Sequence, residues 1–211
     1  MYKIFTADWP ISEETCTATF AANTAVMSVS KNSKIESSKL QRHLERLENC
    51  FKLWRMQMNE IKFTHISFMS MTDCKSNSLA NEVKYLGIHM EKHLIWQSHI
   101  WAKRKQLGLE LRSMYWLLCN RSKLSLNNKL IIYKVMLKPI WTYGIQLWRT
   151  AAISKIAILQ LFQLKTLRII TNVPYFSNNR IHHDVNIRTV QIKSNHSILN
   201  IWHVYKIIQT N

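Results

Sequence analysis

The sequence predicts an α+β fold, in which a β-hairpin, a long helix and short strands are followed by a mainly helical region. Three observations predict it. Small and β-branched residues lie on both sides of a short break within Thr15–Ser30, the pattern of a hairpin. Apolar residues then recur at helical spacing over Ile35–Met58. With 3 Gly and 3 Pro in 211 residues, tight turns are too few for a many-stranded sandwich.

In the hairpin, Thr-Cys-Thr-Ala-Thr-Phe and Thr-Ala-Val-Met-Ser-Val-Ser are separated by Ala-Ala-Asn. The helix follows from Leu40, Leu44, Leu47, Phe51, Trp54 and Met58, which share one amphipathic face, with Ser37 or Ser38 available near its start. Ile61–Met69 alternates apolar and polar residues and is read as a strand, as is Glu82–Met90. From about residue 97 the period is helical. Ile100, Leu107, Leu111, Met114 and Leu118 share a face, and Lys103, Arg104, Lys105 and Arg112 lie away from it. Asn120-Arg121-Ser122 marks a break before a second helix from about Ser125, which Pro139 should kink. A third helix is expected from Ser154 as cap to near Pro174, and the tail from Ser177 reads as polar and irregular until Ile198–Trp202.

At this length the chain can bury a real core, and 47% apolar residues argue against disorder. The cysteines Cys16, Cys50, Cys74 and Cys119 have neither paired nor regular spacing, so they are read as buried free thiols rather than zinc ligands or disulfides. His89, His93 and His99 lack a carboxylate or cysteine to complete a metal set, and no metal site is expected. Lys134 and Lys138 interrupt the most apolar stretch and Met1–Phe5 is too short for a signal peptide. The expectation is an intracellular protein, nuclear or cytoplasmic, neither secreted nor membrane-bound.

Charge is more informative. Lys and Arg number 29 against 12 Asp and Glu, a formal net of +17. Residues 1–30 carry a net of −2, residues 31–80 of +4, residues 81–150 of +9 and residues 151–211 of +6. The positive field therefore builds toward the C-terminal side. It suits RNA or DNA held through the phosphate backbone, without sequence preference and with strong salt dependence.

Thr17-Ala18-Thr19-Phe20-Ala21-Ala22-Asn23-Thr24-Ala25-Val26 resembles the Phe-Ala-Asp-Asp-Thr-Ala hairpin of jockey-type non-LTR retrotransposon reverse transcriptases, which are RNA-directed DNA polymerases. Trp54 with Asn59-Glu60-Ile61-Lys62 is similar to the pattern that closes the next segment of that family's palm. Glu82-Val83-Lys84-Tyr85-Leu86-Gly87-Ile88 is similar to its primer-contacting strand, and Leu94-Ile95-Trp96 with His99-Ile100 continues the match. Further on, Lys103–Gly108, Leu124–Leu130 and above all Leu137-Lys138-Pro139-Ile140-Trp141-Thr142-Tyr143-Gly144-Ile145-Gln146-Leu147-Trp148 resemble the region beyond the palm. The resemblance fades after about Thr189.

It implies a partial palm over residues 1–96, a helical thumb-like region over 97–175 and a poorly defined tail over 176–211. It also implies a nucleic-acid surface drawn from Lys62, Lys84, Tyr85, Gly87, Lys103, Arg104, Lys105, Arg112, Lys129 and Lys134, with Lys62 near the incoming nucleotide. The intact family uses Mg²⁺ held by aspartates. Here Ala22 and Asn23 stand at those positions, and the upstream palm motif and the fingers are not in this sequence, so no catalytic residue is intact and no cofactor is expected. Asp8, Glu13 and Glu14 are read as exposed turn residues, and Cys74–Glu82 as a shortened connection. His182-His183-Asp184 resembles an Ile-His-x-Asp stretch of the family and is given a structural or surface role. Trp96, Trp101, Trp116, Trp141 and Trp148 are read as core, with stacking on bases as the alternative. The expected product is a polymerase remnant without activity. The alternatives are a non-enzymatic basic nucleic-acid-binding module and a fragment that does not fold stably alone; the oligomeric state stays open.

Overall fold

The structure is a computed structural model, and it describes residues 9–10, 12, 14–21, 23–30, 33–56, 59, 62–68, 80–173 and 178–191. The readings made above at Met1–Phe5, Asp8, Glu13, Ala22, Met58, Glu60, Ile61, Cys74, Pro174 and Ile198–Trp202 lie outside those residues. The fold is α+β, as expected: among the described residues, two two-stranded sheets with a long helix between them in sequence are followed by a run of helices. The chain forms two compact units, Met1–Gly87 and Ile88–Asn211.

In the first unit, β1 (Thr15–Phe20) and β2 (Asn23–Ser28) pair antiparallel from Thr15 opposite Ser28 to Phe20 opposite Asn23. Helix α1 (Ser33–Leu53) backs the hairpin and buries Leu47, Cys50 and His43. His43 is the polar tie between them, its Nε2 lying 2.9 Å from Thr17 Oγ1. Glu14, exposed in its turn as expected, accepts from Arg42 at 3.2 Å and lies 3.8 Å from Lys39. The helix starts ahead of Ser37 and Ser38 and stops short of Met58. Arg55 takes a left-handed φ of 51°, its N–H donates to Lys52 O at 3.2 Å, and Met56 N–H donates to Phe51 O at 2.8 Å. Those two bonds are a Schellman termination, with an arginine where a glycine usually signals the stop.

The strand expected over Ile61–Met69 is not formed: residues 63–68 are irregular. Alternation alone does not make a strand, because its backbone groups need a neighbour, and neither of the two sheets among the described residues includes this segment. Glu82–Met90 is also not one strand. It is β3 (Glu82–Tyr85) and β4 (Ile88–Glu91), which make up the second sheet. Leu86 and Gly87 between them both have positive φ, 47° and 77°, the requirement of a two-residue type I′ hairpin turn.

The second unit opens at Ile88, which packs in the helical core. Helix α2 (Gln97–Ser113) has no side-chain cap of its own. The Glu91 carboxylate accepts from Ser98 N–H at 2.6 Å and Gln97 N–H at 3.4 Å, a favourable charge at a helix N-terminus. The predicted face is the buried one: Ile100, Leu107, Leu111 and, beyond the helix end, Met114 and Leu118.

After the short α3 (Tyr115–Leu118), the break at Asn120–Ser122 leads to α4 (Leu126–Ile132), capped by Ser125, whose Oγ accepts from Asn128 N–H at 3.4 Å. The Pro139 interruption takes the form of a π-helical turn, Tyr133–Leu137, that runs into α5 (Lys138–Thr142) with the proline in its first turn. A proline cannot supply the N–H that turn would ask for, and the wider π turn makes room for its ring. Next come α6 (Ile145–Trp148) and α7 (Ile153–Thr171). The latter has Ala152 rather than Ser154 at its N-cap position, without a side-chain cap, and ends where Asn172 turns left-handed at φ 55°.

Two further readings are corrected. The tail is not irregular from Ser177: α8 spans Asn178–Asp184, and Ile181, Val185, Ile187 and Val190 are buried. Of the cysteines, Cys50 is buried, but Cys119 is only half-buried and Cys16 is exposed, since it points off the outer side of a two-stranded hairpin.

Gly144, at the turn between α5 and α6, has φ 65°, and a Cβ built there would stand 2.8 Å from Ile88 Cδ1. Gly144→Ala is expected to destabilise the second unit by about 1–3 kcal/mol, from the left-handed backbone and the contact together. Ile88→Val in the same chain should recover only the contact part. Equilibrium unfolding of the single and double variants measures this.

Candidate nucleic-acid interface

In the first unit the hairpin ends at Phe20 and Asn23, which pair across its tip and are both exposed. Ala21 follows β1 at φ 49°. Tyr85 is half-buried, and its hydroxyl donates to Ala18 O at 3.4 Å, so this residue braces β1 as well as belonging to the expected surface. Strand alternation turns Lys84 outward, and Gly87 and Lys62 are exposed.

The second unit sorts its cations into two kinds. Lys103 Nζ sits 5.0 Å from the Tyr143 ring centroid and the Arg104 guanidinium 4.4 Å from that of Phe162. Both stems lie along the helical core while their charges rest on aromatic faces. Gly108 leaves room for this: a Cβ there would meet Arg104 Nη1 at 3.3 Å. Lys105, Arg112 and Lys134 are exposed to solvent.

Lys129 is a correction. It is buried, and its Nζ donates to Cys119 O at 2.8 Å. The ammonium satisfies the carbonyl at the C-terminal end of α3, a favourable place for a cation, and so holds the break to α4 instead of facing solvent. Exposed Arg121 and Lys123, in that same break, were passed over in the sequence. Their signal was the charge of the 81–150 stretch, which the helical pattern did not assign to a face.

The tryptophans divide similarly. Trp96, Trp141 and Trp148 are core, but Trp101 and Trp116 are 55% and 70% exposed, against the core reading given to both. Aromatic type alone pointed inward; the 3.6-residue period of the buried face places 101 and 116 on the other side.

The rings of His89 and His99 lie 6.3 Å apart between centroids. His99 is fully buried, and its Nδ1 accepts the backbone N–H of His89 at 3.3 Å. Among the described residues no group of three or more His, Cys, Asp or Glu could hold a metal ion. Burial, with the nearby charges of Lys103 and His89, lowers the His99 pKa to about 4. The neutral ring is thus the folded form. Its contribution to stability is complete above the unfolded value near 6.5 and is lost as pH falls from 6.5 through about 4, at up to about 1.4 kcal/mol per pH unit. Burial also lowers His43 and His182. Thermal unfolding between pH 7 and 4 should therefore show falling stability, and His99→Gln should flatten much of that slope; an unchanged slope would contradict this account of His99. His182, whose Nδ1 lies 3.1 Å from Ile187 O, and exposed His183 have the structural and surface places expected of them.

Among the described residues no helix is long and apolar enough to cross a membrane.

Comparison with known proteins places these features in a context. The chain is 31% identical over 196 residues to the RNA-directed DNA polymerase from mobile element jockey of Drosophila melanogaster, a match over 85% of this chain and 21% of that protein. It is 31% identical over 204 residues to the probable RNA-directed DNA polymerase from transposon X-element of Drosophila melanogaster, covering 90% of this chain and 22% of that protein. With the probable RNA-directed DNA polymerase from transposon BS of Drosophila melanogaster it shares 29% identity over 210 residues, 90% of this chain and 23% of that protein. The chain thus spans about a fifth of the length of the curated relatives it matches. No protein-family model matches it, and no solved structure does.

Proposed function

The chain belongs to the family of the jockey-type RNA-directed DNA polymerases of non-LTR retrotransposons, and from that premise we propose that it is a remnant that has lost catalysis and keeps affinity for RNA or DNA. One observation carries the first half. At the tip of a well-formed hairpin, where the family places a pair of aspartates, this sequence has Ala22 and Asn23. Mg²⁺ is held by hard, charged oxygens in near-octahedral order. A methyl group offers no donor, and a neutral amide does not offset a divalent charge. The tip does not fit the ion.

Support for the second half is electrostatic. The chain carries a formal net of +17, and Lys62, Lys84, Lys105, Arg112 and Lys134 are exposed, with Lys103 and Arg104 at the rim of the helical core. Exposed cations of this kind, in either unit, hold phosphates by releasing counterions. The protein would act inside the cell, in nucleus or cytoplasm, where its ligand is.

If about four phosphates are neutralised, affinity should fall on the order of 10²-fold over a fourfold rise in salt, at a slope of about −0.7 to −0.9 per phosphate. Fluorescence anisotropy with labelled RNA and DNA of mixed sequence measures this. Absence of binding at low salt would remove the binding half of the proposal.

A further inference from the structure

We propose that the outer face of α2 and α3 is a stacking platform for single-stranded nucleic acid, with Trp101 and Trp116 as the base-stacking groups and Lys105 and Arg112 as the phosphate contacts. The inference deepens the binding reading above and rests on it.

The four side chains share a face. At about 100° per residue, positions 101, 105, 109, 112 and 116 fall within an arc of about 80°. Helical hydrogen bonds carry that arc past the irregularity at Met114: Met114 N–H donates to Glu110 O at 3.2 Å and Leu118 N–H to Met114 O at 3.1 Å. All five residues are exposed. The buried residues Ile100, Leu107, Leu111 and Leu118 lie on the opposite side. The acidic residue of α2, Glu110, is also turned away, about 100° or more from each of the five at the same rotation per residue.

The chemistry of the face selects its occupant. Two large indole rings exposed at 55% and 70% are an unusual use of tryptophan on a helix that already has a complete buried side. An apolar protein partner would be poorly served by a lysine and an arginine interleaved with the rings and no carboxylate to pair them. A duplex presents phosphates but keeps its base faces stacked internally. A single strand presents both phosphates and free π-faces, which is the combination that aromatic and basic side chains recognise together. From Trp101 to Trp116 the helical rise is about 22 Å, room for about six nucleotides at about 3.4 Å each.

The test uses the whole chain with three labelled probes of equal length: oligothymidylate, oligouridylate and a DNA duplex. Trp101→Ala and Trp116→Ala should each weaken binding of the single strands about tenfold, the scale of one lost base stack, and leave duplex binding within about twofold. Trp→Phe at each position, which keeps a π-face, should recover part of the loss. Lys105→Ala and Arg112→Ala should instead lower the salt slope by about 0.7 each. Because both tryptophans are exposed, the variants should unfold at the temperature of the unaltered chain, and circular dichroism confirms this. Single-strand binding that survives both Trp→Ala changes would overturn the platform while leaving general nucleic-acid binding intact. Equal losses on single strands and duplex, or a change of oligomeric state without a change of affinity, would overturn it too. Failure of the unaltered chain to bind any probe at low salt would remove the broader reading and this one with it.

Discussion

Trp148→Ala is expected to destabilise the second unit by about 3–5 kcal/mol, the largest single-residue effect in the molecule. Trp148 is completely buried, in the core that also holds Ile88, Trp141 and Ile145. Its indole Nε1 donates to Tyr143 O at 3.1 Å, tying α6 back across the Gly144 turn to the end of α5. Truncation to alanine would remove the ring from a packed site and leave the Tyr143 carbonyl without that donor. Domains of this kind are stable by about 5–15 kcal/mol in all, so the loss is a large fraction of the total. Trp148→Phe separates the contributions. It keeps much of the packing and removes the hydrogen bond, and should cost about 1–2 kcal/mol. Urea unfolding followed by far-ultraviolet circular dichroism measures both; a loss below about 1 kcal/mol for the alanine variant would mean that α6 does not anchor the core as described.

Gln163→Ala should come next, at about 2–4 kcal/mol, and its effect should be local. Gln163 is buried in the middle of α7. Its Nε2 donates to Tyr133 Oη at 3.1 Å and to Arg188 O at 3.1 Å, and its Oε1 accepts from Val190 N–H at 3.2 Å. One side chain thus holds the π turn and the segment after α8 to the same helix. Burial pushes the Tyr133 hydroxyl up to about 12, so it stays neutral and able to accept. Removing the amide takes a donor from the buried Tyr133 hydroxyl and another from the part-buried Arg188 carbonyl and leaves a cavity, which together account for that loss. Val190 keeps a second acceptor, Gln160 Oε1 at 2.7 Å, which limits the damage. Hydrogen exchange should speed up over residues 181–190 and little over α2. Uniform acceleration of both regions would contradict the local role.

These two residues also show what the sequence does and does not disclose. The buried face of α2 was legible because Ile100, Leu107, Leu111, Met114 and Leu118 repeat at the helical period while charges occupy other positions. The hairpin was legible from β-branched residues around a short break, and Pro139 from its missing N–H. Gln163 was not legible. A single polar residue among Leu161, Phe162 and Leu164 carries no pattern, and its partners come from 25 to 30 residues away. Lys129 misled for the opposite reason: charge suggests surface, but a tertiary contact with Cys119 O captures the ammonium. The α8 segment, Asn-Asn-Arg-Ile-His-His-Asp, reads as polar loop, and Ile181 with Val185, Ile187 and Val190 becomes a buried set only once α7 offers a surface to pack on.

The same division runs through the candidate site. Ancestry was visible in Phe20-Ala21-Ala22-Asn23 and in the Pro139–Trp148 stretch, and the relatives agree. The basic residues were visible as a total charge, but their sorting was not. Lys103 and Arg104 lie on aromatic rings, Lys129 is buried, and Lys105, Arg112 and Lys134 face solvent. The exposure of Trp101 and Trp116 belongs with that sorting. Composition states how many cations and aromatic rings there are; only packing decides which remain available to a ligand.

The proposal that binding has outlived catalysis is tested most directly by one measurement. The purified chain is mixed at low salt with a labelled DNA primer annealed to an RNA template, nucleoside triphosphates and Mg²⁺ or Mn²⁺. Anisotropy reports occupancy and a sequencing gel of the same sample reports primer length. The predicted result is a bound primer–template whose primer stays at its starting length with either ion. Template-directed addition of even one nucleotide would contradict the account, because it would require a working metal site despite Ala22 and Asn23.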